Sequence, residues 1–153
     1  MDLSRKPEVL YQASIERIAA AWRALDADDY PLASYLAGPA VECIFQAVAF
    51  KIGAAHDAGH SLPLWLGKGP RDLRNSIKSE VRDEWSVLVA IWSNGIRYLS
   101  RSGFVGYLRD KRGTVRVRGG PESMMRMNAK WLVESAAAIH KKGLAQWESF
   151  TKK

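Results

Sequence analysis

The sequence predicts an all-helical bundle with a strongly basic loop before its last helix. Three observations carry that prediction. Apolar residues recur at three- and four-residue spacings through most of the chain. Helix-starting residues, Asp and Pro, stand at the head of several of these stretches. Strand-like alternation is confined to one short segment, 114–118. The 153 residues fit one domain with its own core, and 47% hydrophobic against 25% charged residues excludes a disordered chain. Six Trp supply large apolar faces for packing.

The first helix is expected over about 7–27. Tyr11, Ile15, Ile18, Trp22 and Leu25 fall on one stripe, Pro7 suits a first turn, and Ala19 to Ala21 favour helix. Asp28 and Asp29 then precede Tyr30-Pro31, a cap followed by an N-terminal proline. The second helix is expected to run to about Ile52 and stop at Gly53. It is apolar almost all round, with Leu32, Leu36, Val41, Ile44, Phe45, Val48 and Phe50, which places it in the middle of the bundle. Pro39 should kink it or mark its true start.

Residues 53–70 read as a Gly- and Pro-rich loop with one helical turn around Leu62 to Leu66. A short helix follows over about 71–78. A long one is expected over about 80–101, with Val81, Trp85, Leu88, Trp92, Ile96 and Leu99 inward. Glu80, Asp83 and Glu84 near its start and Arg97 and Arg101 near its end would complement the helix dipole. Five glycines (Gly103, Gly106, Gly113, Gly119, Gly120) argue for a loop over 102–120, in which Thr114 to Arg118 could form a strand or hairpin arm. Pro121-Glu122 opens the final helix, which would turn Met124, Met127, Trp131, Ile139 and Trp147 to the core and bend or split at Gly143.

The formal charge is +7, and residues 101–120 hold most of it: six basic residues against the single Asp110, a net +5. Such concentration suggests a local anionic partner, either RNA, DNA, a nucleotide or an acidic protein face. A solvated loop is the plainer alternative. The lone Cys43 excludes an internal disulfide and suits a reducing cytoplasm. The N-terminus lacks the apolar run of a secretory signal, and polar and proline interruptions over Tyr30 to Ile52 argue against a membrane span. There is no phosphate-binding glycine motif, since Gly67-Lys68-Gly69-Pro70 is too short, and no Cys/His metal spacing. No cofactor and no metal site is expected.

Four stretches, in order, carry a family resemblance. They are YLAGPAVECIFQA at 35–47, HSLPLWL at 60–66, WSNGIRY at 92–98 and AKWLVE at 129–134, followed by Trp147. The series resembles bacterial HEPN-domain proteins, over about 30–150. The resemblance implies a four- to five-helix up-and-down bundle, a single domain over 1–153 with 1–29 as an additional N-terminal helix. It also implies a homodimer or a hetero-complex, and a nucleic-acid or nucleotide setting such as phage defence or toxin–antitoxin systems. Members of the ribonuclease branch place Arg, four to six residues, then His on one helix. No Arg stands five to seven positions before His56, His60 or His140, and Gln46 replaces the usual Lys. That activity is therefore not carried over.

Three readings follow. The first is a non-catalytic HEPN-like protein that contacts RNA or DNA phosphates through Arg109, Lys111, Arg112, Arg116 and Arg118, with Phe104 and Tyr107 stacking on bases or anchoring the loop. The second is a divergent, metal-independent ribonuclease built on His60, Arg97 and Tyr98. The third is an adaptor that pairs with a protein such as a nucleotidyltransferase. Glu42, in an apolar helix, needs a partner, and Arg97 is the expected one, with Tyr98 and His60 as further members of the network.

Overall fold

The computed structural model describes residues 2–55, 58–111, 113–114 and 118–152, with Ser4 described by its backbone alone. The all-helical expectation holds. Among the described residues there are seven α-helices, two 3-10 turns and no strand. The helices are α1 (Pro7–Asp26), α2 (Tyr30–Lys51), α3 (Leu62–Lys68), α4 (Arg71–Glu80), α5 (Arg82–Ile91), α6 (Arg101–Asp110) and α7 (Gly120–Ser149). The 3-10 turns span Leu3–Arg5 and Asn94–Tyr98. The count exceeds the expected four or five because the long helix expected over 80–101 is broken, and half of the expected basic loop is itself helical.

Helix α2 is the central element. Asp29 caps it by accepting from the Leu32 amide at 3.3 Å, and Pro31 fills the first turn. The helix continues through Pro39 and ends at Lys51, just before Gly53 at φ +89°. It packs on α1, α3 and α7, and 16 of its 22 residues are buried. By length and composition it could cross a membrane, but 72% of its most apolar window is buried among the other helices, as in the core helix of a bundle. Two glycines permit close approach. At Gly38 an added Cβ would fall inside the Trp92 ring, and at Gly143 it would lie 2.7 Å from Ile44. Gly143 therefore does not split α7, which runs unbroken for 30 residues.

Helix α1 is rotated from the expected stripe. Its buried residues are Leu10, Ser14, Ala21 and Ala24, each one position before a member of that stripe. Tyr11, Ile18 and Leu25 are partly buried, whereas Trp22 is 37% exposed. The cause is size. Ala21 and Ala24 pack with Ala33 and Val133, so small side chains bring α1 close to α2 and α7. A hydrogen bond reinforces the choice. The Ser14 hydroxyl donates to the Tyr11 carbonyl at 2.7 Å, so it must accept at 2.9 Å from Nε2–H of the buried His140. Burial pushes the His140 pKa down to about 4. On α7, Met124, Ile139 and Trp147 are buried as expected, but Met127 is 42% exposed.

Candidate functional site

The chain between Ile91 and Lys111 departs most from its sequence reading. Trp92 has extended dihedrals (φ −70°, ψ 139°) and ends α5. Its indole leaves the helix line and donates from Nε1 to the Tyr35 carbonyl at 2.9 Å, lying in the notch left by Gly38. Ser93 then accepts from the Gly95 amide at 3.2 Å and starts the 3-10 turn, which the buried Ile96 anchors. The expected continuation of helix to 101 is lost because a Trp–backbone hydrogen bond and a Ser-Asn-Gly turn win over periodicity.

Residues 101–110 form a helix, not a loop. Ser100 caps α6 by accepting from Gly103 at 3.1 Å, and Phe104, Val105 and Leu108 are buried. That burial outweighs the roughly 1 kcal/mol each that Gly103 and Gly106 cost in helix propensity. Phe104 and Tyr107 are anchors: Tyr107 donates its hydroxyl to the Ile91 carbonyl, and burial raises its pKa to about 12. Thr114 donates to the Leu108 and Lys111 carbonyls. The expected hairpin arm falls on 114–118, of which Val115, Arg116 and Val117 lie outside the described residues.

This path opens a groove of about 390 Å³ between the head of α3 and the end of α5, lined in part by His60, Ser61, Trp92, Ser93, Asn94 and Lys111. Beneath it lies Glu42. The carboxylate accepts from Gln46 Nε2 at 3.1 Å and meets His60 Nδ1 at 3.1 Å. Burial, the largest influence, raises the Glu42 pKa from its ordinary value despite these bonds. With the carboxylate ionised, Nδ1–H bridges the pair, and in the neutral imidazole the other His60 nitrogen is then an acceptor. The His60 side chain is 63% exposed and the Glu42 side chain 11%.

The expected four-residue network is thus two separate pairs. Glu42 bonds to His60, not to Arg97. Arg97 is exposed, hydrogen-bonds to the Tyr98 hydroxyl and lies 4.5 Å from that ring's centroid. It lines a second groove, of about 340 Å³, with Tyr35, Leu32 and Arg101. The two grooves lie at either end of the Asn94–Tyr98 turn: Asn94 lines the first, Ile96 and Arg97 the second.

The basic residues divide as well. Arg101 is held by the Glu122 carboxylate at 2.6 Å and by the Asp28 carbonyl at 2.8 Å, so it ties α6 to α7 and to the α1–α2 turn. Arg109, Lys111 and Arg118 are exposed, and none forms an ion pair among the described residues. Lys111 lies 5.3 Å from the Tyr107 ring centroid. Arg112 and Arg116 lie outside the described residues. Cys43 is a core thiol whose pKa burial raises to about 11. No three-residue cluster of metal-ligating side chains occurs among the described residues. Sequence reasoning missed Ser61, Ser93 and Tyr35 as groove residues. The Ser93-Asn94-Gly95 turn signature was the signal that could have found the break. Compared with family models, with curated proteins and with solved structures, the chain matches none.

Proposed function

We propose that this chain is a non-catalytic, HEPN-like nucleic-acid-binding protein of a bacterial defence or toxin–antitoxin system, acting in the cytoplasm. The observation that carries the reading is the set of exposed cations Arg109, Lys111 and Arg118, free of carboxylate partners among the described residues, which begins at the rim of the His60 groove. Arg112 and Arg116 fall between them in sequence and bring the segment to five cations. Cations not committed to internal pairs are available to phosphates, and each phosphate they neutralise releases a counterion. The same reading has the chain working as a homodimer or with a protein partner such as a nucleotidyltransferase. Sedimentation of the native complex decides between them.

Reversing Arg109, Lys111, Arg112, Arg116 and Arg118 to Glu should abolish retention on RNA and DNA and flatten its salt dependence. A native protein with no salt-sensitive binding to any nucleic acid would remove the basis of the proposal.

A second reading, a divergent metal-independent ribonuclease, is favoured by one observation. The Glu42–His60 pair engages Nδ1, and the largely exposed His60 side chain lines the groove that Lys111 also lines. In that reading Lys111 takes the cationic role that the sequence suggests for Arg97, which lines the other groove. RNA cleavage in chelator, lost with both His60→Ala and Lys111→Ala, is the expected result; cleavage that survives both rules it out.

A further inference from the structure

Tyr98 is 74% exposed, the highest value among the large apolar side chains described as exposed. It stands at the end of the 3-10 turn, and its position is held. Ile96, two residues earlier, is 1% exposed and roots the turn in the core. Arg97 lies 4.5 Å from the Tyr98 ring centroid and donates to its hydroxyl. The guanidinium thus braces the ring at its hydroxyl end, and the side chain stays largely open to solvent. A planar aromatic face held in place by a cation suits stacking on a nucleobase.

The neighbouring groove adds room and the right chemistry. Pro31, Leu32, Tyr35, Ile96 and Leu99 give it an apolar lining. Its charged groups are Asp29, Arg97 and Arg101. Asp29 is engaged in capping α2, and Arg101 is paired with Glu122. Arg97 is left without a carboxylate partner among the described residues. From Asn94, in the His60 groove, to Arg97 the turn rises about 6 Å at ~2 Å per residue. That is close to two stacked nucleotide steps of ~3.4 Å each.

We infer that Tyr98, braced by Arg97, is a stacking platform for an unpaired base, so that the protein takes a single strand across the Asn94–Tyr98 turn, with phosphates toward Lys111. This rests on the nucleic-acid reading above and adds strand selectivity to it. A duplex keeps its base faces inside its own stack and cannot offer one to Tyr98. A single strand of RNA or DNA can.

The test is a titration of native protein, Tyr98→Ala and Tyr98→Phe with ten-nucleotide single strands of RNA and of DNA, the same DNA as duplex, and an abasic DNA strand. Native protein should prefer the single strands. Tyr98→Ala should weaken them about 5- to 150-fold, with the salt slope unchanged and no effect on the abasic strand. Tyr98→Phe, which keeps the ring, should retain most of the affinity. A strand carrying 5-iodouracil should photocrosslink to Tyr98, and whichever of RNA or DNA binds more tightly identifies the natural strand. Salt-sensitive binding by native protein with Tyr98→Ala unchanged would overturn the platform while leaving the nucleic-acid reading standing. Failure of native protein to bind any strand would overturn both.

Discussion

Helix α2 and the segment from Trp92 to Lys111 are of similar length, yet they serve opposite ends. In α2, 16 of 22 residues are buried, among them Glu42 and Gln46. In the segment, only Ile96, Phe104, Val105 and Leu108 are buried, and the rest of its 20 residues are half-buried or exposed. One region is determined by what surrounds it. The other is pinned at a few points, by Trp92 on Tyr35, Tyr107 on Ile91 and Arg101 on Glu122, and is left open between them. The difference separates stability from function. Substitutions of the packed apolar residues of α2 should destabilise the protein, whereas substitutions between the pins should change what it binds.

The sharpest challenge to that separation is Gly38→Ala, because Gly38 belongs to α2 and Trp92 to the segment. Alanine gains about 1 kcal/mol of helix propensity. It also expels the Trp92 ring, breaks the bond to Tyr35 and opens the groove. Overpacking and the broken hydrogen bond should dominate, for a net loss of about 3 kcal/mol, or roughly 6–12 °C in Tm. Nucleic-acid affinity should fall with it. Normal stability in this variant, measured by thermal unfolding, would mean that the segment is not pinned there.

Next in size is the acid response of the core. His140 is held neutral, with its pKa lowered to about 4. As pH falls below ~6.5 the unfolded chain takes up a proton that the fold refuses. Stability should therefore fall between pH 6.5 and about 4, by an amount on the order of 3 kcal/mol, and level off below. His140→Gln should remove that part of the slope in urea unfolding at a series of pH values. An unchanged slope would assign the titration elsewhere.

Glu42 has the opposite sign. Its folded pKa is raised, so the proton is held more tightly in the fold. The stability it contributes is fully present below the usual carboxylate value of ~4.3 and is lost as pH rises through its folded value. Glu42→Gln keeps the shape and removes the buried charge. It should raise stability at pH 7 by no more than about 1 kcal/mol and abolish this rise on acidification. Loss of several kcal/mol would show that the charged Glu42–His60 pair holds α3 to α2.

The smallest expected effect on folding comes from the open region. Arg109→Glu, Lys111→Glu and Arg118→Glu together should leave stability within about 0.5 kcal/mol per site, because these side chains are exposed and form no ion pair among the described residues.

The same contrast explains what is legible in the sequence. The start of α2 is legible because Asp29 and Pro31 act locally, and its burial because it is apolar on every side. The face of α1 is not: whether Ile15 or Ser14 turns inward depends on Ala33, Val133 and His140, which come from other helices. The Glu42 partner is hidden for a similar reason. Arg97 and His60 are both available, and only the loop before α3 decides that His60 arrives. Gly103 and Gly106 signal a loop, but the Ser100 cap and three buried side chains make a helix. The concentration of cations in 101–120 is plain from the sequence; that Arg101 is committed to Glu122 is not.

That the open segment and the cations following it form the nucleic-acid-binding surface is tested most directly by the salt dependence of affinity. Binding of a single strand would be measured across a range of salt for native protein and for the Arg109, Lys111 and Arg118 triple reversal. Each cation taken away from a phosphate should reduce the slope of log K against log salt by about 0.7, so three together should reduce it by about 2 with the fold intact. An equal slope for the two proteins would contradict the account.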